Sequence, residues 1–121
     1  MDATVTVLKA LAEPTRMRIL HCLMQGASLG YPEICVCELG DVLRLPLSTL
    51  SSHLKALREA RIVEVRKWST WVYYRLSPTA PEWMSLVIHS FSSPPEDGVR
   101  LEERLKLRRD GLCCRREGAL L

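Results

Sequence analysis

A mainly α-helical domain carrying one small antiparallel β-hairpin is the fold class this sequence predicts. Three observations lead there. Apolar residues recur at helical spacing over much of residues 2–60, as at Leu50, Leu54 and Leu57. The spacing then changes: Ile62 to Lys67 and Trp71 to Leu76 alternate with a period of two and are rich in Val, Trp and Tyr. Helical spacing returns over Glu82 to Phe91, after Ser77-Pro78 and Pro81. A chain of 121 residues is long enough for one real core.

Taken in order, residues 2–11 predict a first helix with Val5, Leu8 and Leu11 or Ala12 on one side. Glu13-Pro14 interrupts it, because the residue before a proline avoids the helical region. Pro14 suits the first turn of a second helix, Thr15 to about Gln25, with Met17, Leu20 and Met24 apolar. Gly26 to Pro32 reads as a loop, and a third helix falls within Ile34–Leu43. Leu45-Pro46 turns into a fourth helix, capped by Ser48 and running to Ala60. Trp68-Ser69-Thr70 joins the two strands. Ser92 to Gly98, with two prolines and two serines, reads as a linker. The charged tail from Val99 has poor apolar spacing, supports at most a short helix near Leu101–Arg109, and is expected to be mobile over 111–121. The order ααααββα is that of a winged helix-turn-helix domain over residues 1–92, with 93–121 a partly flexible tail carrying a Cys pair.

The fourth helix has an unusual outer face. Ser48, Ser52, Lys55 and Glu59 lie opposite the leucine stripe, with Thr49 and Ser51 on its flanks. Serine and threonine are mediocre helix formers, so their concentration has a cost that a binding role explains. Small hydroxyls and a lysine on a narrow face can approach base edges and phosphates in a major groove. The bland alternative is a solvated helix start. The net charge of +3 is too small to argue nucleic-acid binding by itself. Its distribution says more: Arg44, Lys55, Arg58, Arg61, Arg66, Lys67 and Arg75 face only Glu59 and Glu64 across residues 44–75. Arg66 and Lys67 are expected at the tip of a phosphate-touching wing.

No apolar run approaches a membrane span, and no basic-then-apolar leader opens the chain, so a cytoplasmic protein without a membrane partner is expected. Five cysteines in such a chain read as thiols for metal or redox chemistry. An enzyme is disfavoured. No Cys-x-x-Cys follows a strand, no phosphate-cradling loop is present, and no nucleophile–base–orienter set can be traced.

Three segments resemble the ArsR/SmtB family of metal- and metalloid-responsive repressors. Leu11-Ala12-Glu13-Pro14-Thr15-Arg16-Met17-Arg18-Ile19-Leu20 is similar to the family's second-helix signature. Glu33-Ile34-Cys35-Val36-Cys37-Glu38-Leu39 resembles the arsenic-sensing box. Leu50-Ser51-Ser52-His53-Leu54 through Arg61-Ile62-Val63 resembles the recognition helix and the start of the wing. The likeness covers roughly residues 5–92. It implies a homodimer joined through its first and last helices, with Trp83 in the interface. It also implies a palindromic double-stranded operator, His53 as a further DNA contact, and release by trivalent arsenic or antimony without an organic cofactor. Alternatives on the same scaffold are another soft ion such as cadmium or lead, an organoarsenical, or thiol oxidation; a thiol enzyme is a distant third.

Thiolates suit such ions. Two residues apart on a regular helix, Cys35 and Cys37 would stand about 200° apart. They can share one ion only if the backbone there is extended or unwound, which suggests that ion capture distorts the third helix and so weakens DNA binding. Many members of the family carry another cysteine where Gly40 stands here. Cys113 and Cys114 are therefore the candidates for a further thiolate, unless Cys35 and Cys37 act alone. Cys22, inside an apolar helix, reads as a core thiol. His89 lacks the second ligand that zinc-binding relatives carry three positions on, where Ser92 stands, and His21 reads as structural.

Overall fold

The computed structural model describes residues 3–109 and 113. Its elements are α1 (Ala3–Leu11), α2 (Pro14–Ser28), β1 (Ile34–Cys35), α3 (Val36–Leu43), α4 (Leu47–Glu59), β2 (Val63–Trp68), β3 (Trp71–Leu76), α5 (Trp83–Ser90) and α6 (Pro95–Leu105). The predicted order α1–α4, hairpin, α5 is present, so the fold is a winged helix-turn-helix. Two elements are added to it.

The first is β1. It pairs antiparallel with β3, Ile34 opposite Tyr74 and Cys35 opposite Tyr73, giving a three-stranded sheet of order β1-β3-β2. Ile34, expected in the third helix, therefore precedes it. The second addition is α6, which corrects the linker and tail expected after residue 92. Its Leu101 and Leu105, four residues apart, are buried in the same core as α2 and α3. The apolar spacing looked poor because charged residues fill the rest of the inward face. Asp97 is 1% exposed and Arg104 5%, and each is neutralised by a partner rather than by water.

Packing follows the amphipathic pattern. Leu50, Leu54 and Leu57 of α4 are all buried, beside Ile19 and Leu20 of α2 and Leu39 of α3. Pro46 stands at the N-cap of α4 with extended backbone (φ −60°, ψ 145°) and no side-chain cap. Ser48, expected as the cap, lies instead in the first turn, because proline pre-sets the turn one residue earlier. Arg44, in the left-handed region at φ 56°, reverses the chain between α3 and α4. Helix α1 buries Val7, Ala10 and Leu11. Val5 and Leu8, on the predicted apolar side of α1, are exposed, as are Leu86 and Val87 of α5, where Met84 and Ile88 are buried. No helix among the described residues is long and apolar enough to cross a membrane.

Candidate metal centre

Cys35 ends β1 and occupies the N-cap position of α3, with extended backbone (φ −72°, ψ 147°). Cys37 lies in the first helical turn. One cysteine before the helix and one inside it bring the sulfurs to 3.1 Å. The opposite-faces argument holds only for two helical residues, so α3 needs no unwinding here, and the expected distortion of its start is not required for the sulfurs to meet. Glu38 completes this end: its Oε1 accepts from the Cys35 backbone N–H at 2.8 Å, as an acid three residues after an N-cap does.

The third sulfur arrives from beyond α6. Cys113 Sγ lies 3.1 Å from Cys37 Sγ, and the Cys35, Cys37 and Cys113 sulfurs all lie within 4.8 Å of one another. The Cys113 N–H donates to Tyr73 Oη at 2.8 Å, and Arg104 Nη2 approaches its sulfur at 3.8 Å. Among the described residues no histidine or carboxylate joins this set. Cys114 lies outside the described residues. Gly40, the alternative position for a third thiol, faces the other way: a Cβ there would stand 3.3 Å from Leu47 at the start of α4. Cys22 is buried apart, and burial pushes its thiol up to about 12.

Charges around the triad are buried and paired. Glu38 is fully buried; Arg108 donates to both its oxygens, at 2.9 and 2.8 Å. Arg104 Nε donates to Asp41 Oδ2 at 2.9 Å. Within the triad, hydrogen bonds from Cys113 and Cys37 hold the Cys35 thiol far below its ordinary range, against the effect of burial. Cys113 is pushed up by its hydrogen bonds to Cys35 and Cys37 and by burial. For Cys37 the Cys113 hydrogen bond lowers the thiol, but the Cys35 hydrogen bond and burial together carry it to about 11. The shared hydrogen bonds thus favour one thiolate, on Cys35, beside protonated Cys37 and Cys113, a property of the group as a whole.

The proposed DNA face is laid out on α4 and the wing. Ser48, Thr49, Ser51, Ser52 and Lys55 are exposed, and so is Lys67 on β2. His53 is half-buried, its Nδ1 3.0 Å from Glu13 Oε2 and 3.3 Å from Arg16 Nη1 at the start of α2. Arg66 is not at the wing tip, which Ser69 and Thr70 form. It lies opposite Tyr73, with its guanidinium 5.0 Å from that ring and paired with Glu33. Sequence reasoning missed Glu38, Tyr73, Arg104 and Arg108. Only Glu38 left a signal, the acid three residues after Cys35.

The family model for "Bacterial regulatory protein, arsR family" matches residues 13–65. The chain is 40% identical over 82 residues to arsenic resistance transcriptional regulator ArsR1 of Pseudomonas putida, covering 68% of this chain but 60% of that one. It is 34% identical to the same organism's arsenic resistance transcriptional regulator ArsR2, covering 89% of this chain and 95% of that protein. Among solved structures, HlyU from Vibrio cholerae superposes with a TM-score of 0.62 at 36% identity, covering 73% of this chain and 89% of that one.

Proposed function

Since the chain belongs to the arsR family of bacterial regulatory proteins, whose members are transcriptional regulators and not enzymes, we propose that it is a cytoplasmic, dimeric repressor that releases its operator when arsenite or antimonite occupies Cys35, Cys37 and Cys113. The convergence of three sulfurs from two segments remote in sequence is the observation that carries this reading. A tetrahedral zinc site with bonds of about 2.3 Å spreads its sulfurs to about 3.8 Å and calls for a fourth ligand. The two 3.1 Å contacts here are tighter. They suit an ion with narrow sulfur–ion–sulfur angles, as a trivalent metalloid with a lone pair has. The names of the arsenic-resistance regulators among the relatives agree.

In this reading the α4 hydroxyls and Lys55 read the major groove while Lys67 meets phosphate. His53 braces α4 against α2. The exposed apolar residues Val5 and Leu8 on α1 and Leu86 and Val87 on α5 suit a dimer interface. Thiols joined on one ion tie β1 and α3 to the segment beyond α6. Because α3 packs on α4, that closure changes how the recognition helix is presented.

The test selects an operator from a random duplex pool with the full chain, then titrates arsenite against the labelled duplex. Release by arsenite from the wild type, lost in Cys35→Ser/Cys37→Ser, is expected; unchanged DNA affinity in the wild type refutes the proposal. Oxidation is a second reading, favoured by the same close sulfur pairs: two thiols and one peroxide give a disulfide and two waters. Peroxide releasing DNA in metal-free buffer, with arsenite inert, selects it. Release by cadmium or lead with arsenite inert selects another soft ion.

A further inference from the structure

We propose that Arg108, acting through the buried carboxylate of Glu38, is the positioning residue that seats the third sulfur; this rests on the thiol-site reading above. Arg108 touches every segment that meets at the site. Its Nε and Nη2 form a fork on Glu38, and Nη2 also donates to the Glu33 carbonyl at 2.7 Å. Its guanidinium lies 5.3 Å from the Tyr31 ring and 5.8 Å from the Tyr73 ring. The side chain is 7% exposed. A fork paired with a carboxylate and held between two aromatic faces has one orientation, which a lysine cannot reproduce.

What Arg108 holds is itself attached to the sulfurs. Glu38 takes the Cys35 N–H on the oxygen that also accepts from Arg108 Nη2. Tyr73, which flanks the guanidinium, accepts from the Cys113 N–H and pairs with Cys35 across the sheet. One cation therefore stands between Tyr73, which holds the Cys113 N–H, and the turn that carries Cys35 and Cys37. Arg104 contributes less to this junction: its Nε is held by Asp41, its Nη1 stands 3.9 Å from Glu38 Oε2 without a hydrogen bond, and its Nη2 approaches Cys113 Sγ at 3.8 Å. The consequence is a site completed within a single chain. Outer partners of this kind, which orient ligands without touching the ion, are worth about 10–100-fold in affinity.

The test compares full-length wild type, Arg108→Gln, Cys113→Ser and the double variant. X-ray absorption of the arsenite-loaded wild type is expected to give three sulfurs per arsenic. Arg108→Gln should give two, with arsenite affinity lowered about 10–100-fold. The double variant should be no weaker than Cys113→Ser alone, because both changes remove the same sulfur. Without any arsenite, Cys113 in Arg108→Gln should react with iodoacetamide about tenfold faster or more while buried Cys22 stays protected. Should Arg108→Gln not fold, Arg108→Lys replaces it, with lowered affinity and faster Cys113 alkylation expected. Three sulfurs and wild-type affinity in the variant, or fully additive losses, overturn the role of Arg108 and leave the thiol site standing. A wild type that binds arsenite without sulfur overturns the thiol site itself.

Discussion

Replacing Asp97 by alanine tests whether α6 belongs to the core or merely follows it. Asp97 is 1% exposed and accepts from Arg18 Nε at 2.8 Å, Arg18 Nη2 at 2.9 Å and Arg100 Nη2 at 3.1 Å. The alanine removes three charge-assisted bonds and leaves two guanidiniums facing one another across the joint between α2 and α6. Breaking a fully buried pair from one side costs about 3–5 kcal/mol. Arg18 and Arg100 keep 22% and 25% of their side-chain surface, so water recovers part of that, and a loss of about 2–3 kcal/mol is expected. Urea unfolding at fixed protein concentration, necessary for a protein proposed to dimerise, reads the loss. A cycle with Arg18→Met should return a coupling of about 1–2 kcal/mol. Because α6 leads to Cys113, arsenite affinity should fall as well, although no thiol has changed. A loss below about 0.5 kcal/mol, the range of an ordinary surface substitution, would refute the assignment of α6 to the core.

The protonation of the triad gives a second prediction. Two protons on three sulfurs fall one short of the three needed to release the hydroxides of arsenous acid as water. Arsenite binding should therefore take up one proton and weaken about tenfold per unit rise in pH between about 6 and 8. Cadmium would displace two protons and show the opposite slope. Competition titrations across that range check both, and a flat arsenite profile contradicts the single-thiolate state. Lys55→Ala and Lys67→Ala should each lower the slope of log affinity against log salt by about 1 in operator titrations. Cys22→Ser places a hydroxyl among apolar neighbours and should cost about 1–3 kcal/mol in urea unfolding, with arsenite release unaltered.

Most of the helix-turn-helix and hairpin architecture was legible because it is written in local spacing. The leucine stripe of α4 and the alternation of the hairpin each follow from one period. Cys-x-Cys was legible as a pair of thiols for one site, but its geometry was not. Whether position 35 is helical depends on pairing with Tyr73, which lies 38 positions further along the chain. Helix α6 was hidden for a different reason: Asp97 and Arg104 occupy buried positions that a hydropathy pattern assigns to solvent, and their partners Arg18, Glu38 and Asp41 are remote in sequence. Arg66 adds a partner that no spacing reveals: near the hairpin end, it pairs with Glu33 at the end of a distant loop.

The pairing of Cys35 with Tyr73 gives the hairpin a fulcrum. From Tyr73 to the bend at Thr70 the strand runs about 10 Å, so a small tilt imposed where β1 grips β3 is magnified at the far end. The α4 contact and this lever arm start from adjacent residues, so a single displacement at Cys35 reaches α4 and the hairpin tip together.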